Sequence, residues 1–69
     1  MIALTRLNGS RFVLNAELIR TIEERPDTVI MLINGDHIVV RESLNEVVAR
    51  SIDYRRHLHT FLGAEPNVK

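Results

Sequence analysis

The side chains best equipped for chemistry are basic and lie late in the chain. Arg50, Arg55 and Arg56, together with His57 and His59, give one helical stretch a basic second half. Two readings of that half stand side by side. Cations late in a helix complement the negative end of its dipole and keep its surface soluble. The same cations can form a docking surface for an acidic partner or a phosphate backbone. Arg6, Arg11 and Arg41 form a second cluster if the strands that carry them are neighbours. Partner contacts are therefore expected at Arg6, Arg50, Arg55 and Arg56.

No catalytic or metal constellation accompanies them. His57 and His59 are two residues apart, so on a helix they diverge and cannot clamp one ion. His37 and Asp36 are adjacent on a strand and project to opposite faces. Ser43 has Glu42 beside it, no histidine close in sequence, and the position of a helix cap. Ser10 falls in a turn and Ser51 on the helix. Glu23 and Glu24 are consecutive on a presumed strand, so they cannot share a substrate as an acid/base pair. Gly9, Gly35 and Gly63 are isolated and make no phosphate loop. The expectation is a protein without enzymatic activity, metal or cofactor.

Composition narrows the class. The chain of 69 residues fits one domain, and so short a chain has a marginal core. Without cysteine, no disulfide or thiolate metal site supplements that core. Nine basic residues, eight of them arginine, balance nine acidic ones. That balance argues against a nonspecific nucleic-acid binder, which carries a basic excess. The longest apolar run, Val29 to Ile33, is far shorter than the roughly 20 residues that span a bilayer. Met1-Ile2-Ala3-Leu4 followed by Thr5-Arg6 does not resemble a signal peptide, so a cytoplasmic location is expected.

The element pattern is centred on Thr28 to Ser43, where two apolar runs flank Asn34-Gly35. Asn-Gly accepts the positive φ angles of a type I′ turn, which predicts a β-hairpin. Five strands are predicted: Ile2 to Leu7, Arg11 to Leu14, Leu18 to Glu24, Thr28 to Ile33 and Asp36 to Arg41. Asn8-Gly9-Ser10 and Pro26-Asp27 are the turn signals between the earlier strands. Asn15 is placed to cap a single helical turn. Leu18, Ile19 and Ile22 fit a short helix as well as a strand, and the strand is favoured because Arg25-Pro26-Asp27 stops the segment quickly.

Ser43-Leu44-Asn45-Glu46 matches a capping box, and the helix is expected to run to about Leu62, with Gly63 as its stop. Leu44, Val47, Val48, Ile52, Leu58 and Leu62 fall near one apolar stripe. Glu46–Arg50 and Asp53–His57 are candidate i,i+4 pairs. The predicted class is α+β: a small antiparallel sheet or partial barrel of about five strands, then one C-terminal helix. Residues 1–63 make the domain and 64–69 a flexible tail.

The fourth strand is apolar at both parities, so it calls for cover on both faces. A helix supplies one cover. The other comes from curling of the sheet or from a second subunit. Homo-oligomerisation is expected, with Val29, Ile30, Met31 and Ile33 as its interface. The helix end at Leu58, Phe61 and Leu62 is a further candidate contact, although packing on the chain's own sheet is favoured there.

Several short stretches occur together in a family order. They are Leu4-Thr5-Arg6-Leu7-Asn8-Gly9, Phe12-Val13-Leu14-Asn15, Ile19 with Ile22-Glu23, Pro26-Asp27-Thr28, Asn34-Gly35 and Val40-Arg41-Glu42-Ser43. With them the chain resembles the small FlbD-type (SwrD-like) flagellar proteins over residues 1 to about 50. The resemblance implies a cytoplasmic, non-enzymatic accessory of flagellar assembly or motor output, acting by protein contacts at the motor or its stator, peripheral to the flagellar base. It supplies no catalytic residues. Leu4-Thr5-Arg6 is also similar to the carbon-storage-regulator type of RNA-binding dimer, in which Arg6 would contact RNA. Ile22-Glu23, Asn34-Gly35 and Arg41-Glu42-Ser43-Leu44 look like part of a LytTR-type DNA-binding domain. The alternative function is therefore a small nucleic-acid-binding regulator of motility genes.

Overall fold

Alternating apolar residues and two Asn-Gly turns shape most of the molecule. In the computed structural model, residues 1–61 are described, with side chains for residues 1–57. Strands β1 (Ile2–Thr5) and β2 (Arg11–Leu14) form a first antiparallel sheet. Strands β3 (Ile19–Glu24), β4 (Thr28–Leu32) and β5 (His37–Val40) form a second. A 3-10 turn at Ala16–Leu18 precedes β3, and helix α1 (Leu44–Phe61) follows β5. The class is α+β, as expected, with the five strands divided between two small sheets. The expected helix end at Leu62 and Gly63, the tail beyond it, and the side chains of Leu58, His59 and Phe61 lie outside the described residues.

Both Asn-Gly hairpins close in the same way, and neither is a type I′ turn. In each, a three-residue loop is bracketed by two backbone bonds: Gly35 N–H to Leu32 O and Leu32 N–H to Asp36 O in one, Gly9 N–H to Arg6 O and Arg6 N–H to Ser10 O in the other. Only the glycines take positive φ, +94° at Gly9 and +95° at Gly35. A type I′ turn needs positive φ at both central residues. Here each asparagine keeps a negative φ, and its Oδ1 accepts the N–H two residues on, from Ser10 or Asp36.

The helix-or-strand ambiguity at residues 18–24 has a geometric cause. Ile19 and Ile22 are three apart, a helical spacing, yet both pack against the core from a strand. The register supplies the answer: Ile19 pairs with Leu32 and Thr21 with Met31, so Arg20 is an extra residue in β3. A bulge shifts parity by one and returns Ile19 to the face that Ile22 occupies. Leu18 belongs to the 3-10 turn, whose cap is Asn15: its Oδ1 accepts the Glu17 N–H at 3.0 Å.

The core is aliphatic. Ile2 and Leu4 from β1, Leu14 from β2, Ile30 and Leu32 from β4, Val40 from β5 and Val47 from α1 meet with Ala16. Registers Ile22↔Ile30↔Ile38 and Thr28↔Val40 set the inner face of the second sheet. The first sheet and the start of α1 close over it. The sheets meet where Arg6 bridges Val40, with the Arg41 N–H donating to Thr5 O at 2.8 Å.

Helix α1 starts as its capping box requires. The Glu46 N–H donates to Ser43 Oγ at 3.2 Å and the Ser43 N–H to Glu46 Oε1 at 2.8 Å. The Leu44 N–H donates to Glu24 Oε1 at 3.0 Å, which ties the helix start to the end of β3. The apolar stripe is only partly covered: Val47 is buried, whereas Val48 and Ile52 remain 38% and 47% exposed. The expected Glu46–Arg50 pair is replaced, because Glu46 serves the cap and Arg50 reaches Glu42.

Leu4 is fully enclosed while Val13, on the same hairpin, is 66% exposed. Leu4→Ala is expected to cost about 2–5 kcal/mol by loss of burial and cavity formation. Val13→Ala is expected to change stability by no more than about 0.5 kcal/mol. Urea denaturation checks both, and similar midpoint shifts for the two variants would contradict this core.

Candidate functional site

The outer edge of β1 is covered by side chains from the segment that leads into α1. Thr5 turns its backbone away from β2: its N–H donates to Glu42 Oε1 at 2.9 Å and its carbonyl accepts from Arg41. Its hydroxyl donates to Glu42 Oε2, also at 2.9 Å. About two turns into the helix, Arg50 Nη1 donates to Ala3 O at 2.6 Å and lies 3.4 Å from Glu42 Oε2. The Glu42–Arg50 pair thus occupies the place where another strand would hydrogen-bond to β1.

Burial alone would raise the Glu42 carboxyl, whose side chain is 10% exposed. The Thr5 N–H and hydroxyl, its own backbone N–H and the Arg50 guanidinium outweigh that effect and hold it below the ordinary carboxylate value. Three carboxylates near this end of the molecule therefore have structural work: Glu42 on Thr5, Glu24 on the Leu44 N–H, and Glu46 on the Ser43 N–H.

Beside this pair lies a surface cleft of about 370 Å³ between α1 and the first sheet. Met1, Ile2, Ala3 and Arg11 line one side, and Arg50, Asp53, Tyr54 and His57 the other. His57 Nδ1 is 3.0 Å from the Asp53 carbonyl and 3.6 Å from its carboxylate, so the expected Asp53–His57 pair is formed. A second groove, about 200 Å³, runs between α1 and β3, lined by Ala16, Ile19, Ile22, Val48, Ser51, Ile52 and Arg55.

The four arginines expected at a partner surface do not form one patch. Arg50 lines the first cleft, Arg55 the second groove, and Arg56 the helix surface with Ala49 and Ile52. The Arg6 guanidinium stacks over the Phe12 ring at 4.3 Å from its centroid. β1 pairs with β2 and meets the end of β5 at the Arg6–Val40 bridge, while β2 and β5 belong to different sheets, and the arginines of the expected second cluster are engaged separately. Arg41 donates twice to Leu7 O, at 3.0 and 2.7 Å, while Arg11 extends to the cleft beside Arg50. Of the expected interface residues, Ile30 is wholly inside the chain's own core, Val29 and Met31 are half-buried on the outer face of β4, and Ile33 is exposed in the hairpin loop.

A family model of flagellar and swarming motility proteins, the FlbD family, matches residues 1–59. The chain belongs to the FlbD family. No curated protein and no solved structure gives a significant match. The FlbD match spans both sheets, the Glu42–Arg50 pair and all the residues of the first cleft. Among the described residues no helix is long and apolar enough to cross a membrane.

Sequence reasoning missed Arg11 as a companion of Arg50 and Glu42 as the seal on β1. Thr5 and Glu42 are 37 residues apart, and no local pattern joins them. The one available signal was Glu42 itself, an acidic residue between an apolar strand and a helix cap.

A carboxyl lowered in the folded state adds stability that is fully present above its unfolded value and lost as pH falls through its folded value. The Glu42 contribution should therefore disappear on acidification. Glu42→Gln is expected to lose about 1–3 kcal/mol at neutral pH, the worth of hydrogen bonds to a charged group. Its stability should also fall less steeply toward acid than that of the unaltered chain. Urea titrations of both proteins at neutral and acid pH make the comparison, and parallel curves would contradict the role given to Glu42.

Proposed function

We propose that this chain is a non-enzymatic accessory protein of bacterial flagellar motility. It acts through protein–protein contacts, in the cytoplasm and peripheral to the flagellar base, and supports the motor or its stator, or flagellar assembly. The observation that carries this reading is membership of the FlbD family across residues 1–59. The carboxylates give further support. Glu24, Glu42 and Glu46 each accept backbone N–H groups that hold the fold together. A carboxylate so engaged with the backbone is not free to exchange protons with a substrate. Arg6, Arg50, Arg55 and Arg56 are the proposed partner contacts, distributed over more than one surface.

The chain acts in this proposal as a small homo-oligomer. The outer face of the second sheet supports that reading, because the registers align Thr21, Met31 and His37 in one row and Glu23, Val29 and Val39 in the next. Val29, Met31 and Val39 form its apolar centre.

Deletion of the gene in a flagellated host is expected to leave flagella in normal number with weakened rotation, read by counting filaments and measuring torque in the same cells. Normal swimming would count against the proposal. Missing flagella with altered transcript levels would favour the nucleic-acid-binding regulator instead. At the protein level, Met31→Asp is expected to dissociate the oligomer while the chain stays folded. Ile30→Asp is expected to unfold it, because the charge enters the core. Light scattering with circular dichroism distinguishes the two, and an intact assembly in Met31→Asp would remove this face from the interface.

A further inference from the structure

We propose that the cleft between α1 and the first sheet binds an acidic peptide segment of a protein partner, with Arg11 as the residue that receives its carboxylate. The proposal rests on the reading that this chain works through protein contacts, and it names the contact.

Three observations on different elements converge there. The first is a cation with no internal role. Arg11 lines the cleft, and its side chain has no ion-pair or hydrogen-bond partner among the described residues. Arg50, across the cleft, is already spent on Ala3 O and Glu42. The second is backbone polarity. Thr5 directs its N–H and carbonyl away from β2, and Ala3 has the same parity, with its carbonyl on Arg50. Alternation along a strand therefore turns the Ala3 N–H toward the same outer edge. The third is an apolar rim. Met1 is largely exposed at the cleft, and the half-buried Tyr54 ring borders it.

A guanidinium, an outward backbone N–H and an apolar rim suit a carboxylate beside an apolar side chain, which is the chemistry of a Glu- or Asp-bearing peptide. A phosphate backbone fits less well. Asp53 stands in the cleft, where it can accept an N–H from a peptide backbone, a donor that a phosphate backbone lacks. The chain as a whole carries no net positive charge.

The test uses the full chain, isotopically labelled, in amide NMR titrations with two probes: acetyl-Leu-Glu-Glu-Leu-Glu-Glu-amide and the same peptide with glutamine for each glutamate. Expected are shifts at Ala3, Arg11 and Tyr54 with the acidic peptide and none with its glutamine form. Arg11→Glu should weaken the interaction about tenfold or more, as loss of a charge-assisted bond does, and Arg11→Ala should do so without introducing a new charge. Equal shifts with both peptides, or unchanged binding in Arg11→Ala, would overturn the assignment. Larger shifts at the same amides with a short oligothymidylate would also overturn it, giving the cleft to phosphate. A swimming assay separates the two levels of inference. A deletion strain that swims normally removes the motility role whatever the peptide does. A defective deletion strain fully restored by Arg11→Glu removes the cleft and leaves the motility role standing.

Discussion

The Glu42 carboxylate on Thr5 is the contact on which the two halves of this protein depend. Neither small sheet encloses a core alone. The first has only two strands, and two-stranded hairpins are marginal in water. They bury Leu4, Ile30 and Val40 only when β1 lies against the end of β5, and that juncture consists of the Arg6–Val40 bridge, the Arg41–Thr5 bond and the Glu42 bonds. Glu42 immediately precedes the cap Ser43, so the residue that fixes β1 also sets where the helix begins. Arg50 extends the arrangement one step along β1 and in doing so shapes the wall of the cleft.

Much of the architecture was legible from residue pattern. The period-2 alternation of Ile2 and Leu4, the Asn-Gly pairs, Asn15 as a turn cap and the Ser43–Glu46 box each report a local constraint, and local constraints are what a sequence displays directly. Strand limits came out one or two residues generous: β1 stops at Thr5 where Leu7 was expected, and β4 at Leu32 where Ile33 was expected. The cause is common to both. The residue preceding Asn-Gly enters the three-residue loop, so an apolar side chain there extends the pattern without extending the strand.

What was hidden depends on register and on distance along the chain. The bulge at Arg20 makes a helical spacing behave as a strand face, and periodicity alone cannot reveal it. The two apolar parities of β4 read as equivalent, yet only Thr28, Ile30 and Leu32 enter the chain's own core. Which parity wins is decided by where β1 and Val47 arrive from outside the hairpin. The cleft was hidden for the same reason: Arg11 and Arg50 reach one site from β2 and α1, and nothing near either residue announces the other.

The arrangement of the two hairpins has a kinetic consequence. Each is closed by its own three-residue loop, and α1 by its own capping box, so all three can form from contacts a few residues apart. Docking the first hairpin is different, because it must bring Thr5 to Glu42 across 37 residues of chain. That closure carries most of the loop entropy of the fold. The first hairpin is thus the natural last arrival in folding and the first departure in partial opening. Its release would free the β1 edge, open the core at Leu4 and detach one wall of the cleft in a single event. Amide exchange at Thr5 then reports the docking equilibrium of that hairpin, while exchange at Ile30 reports the opening of the second sheet.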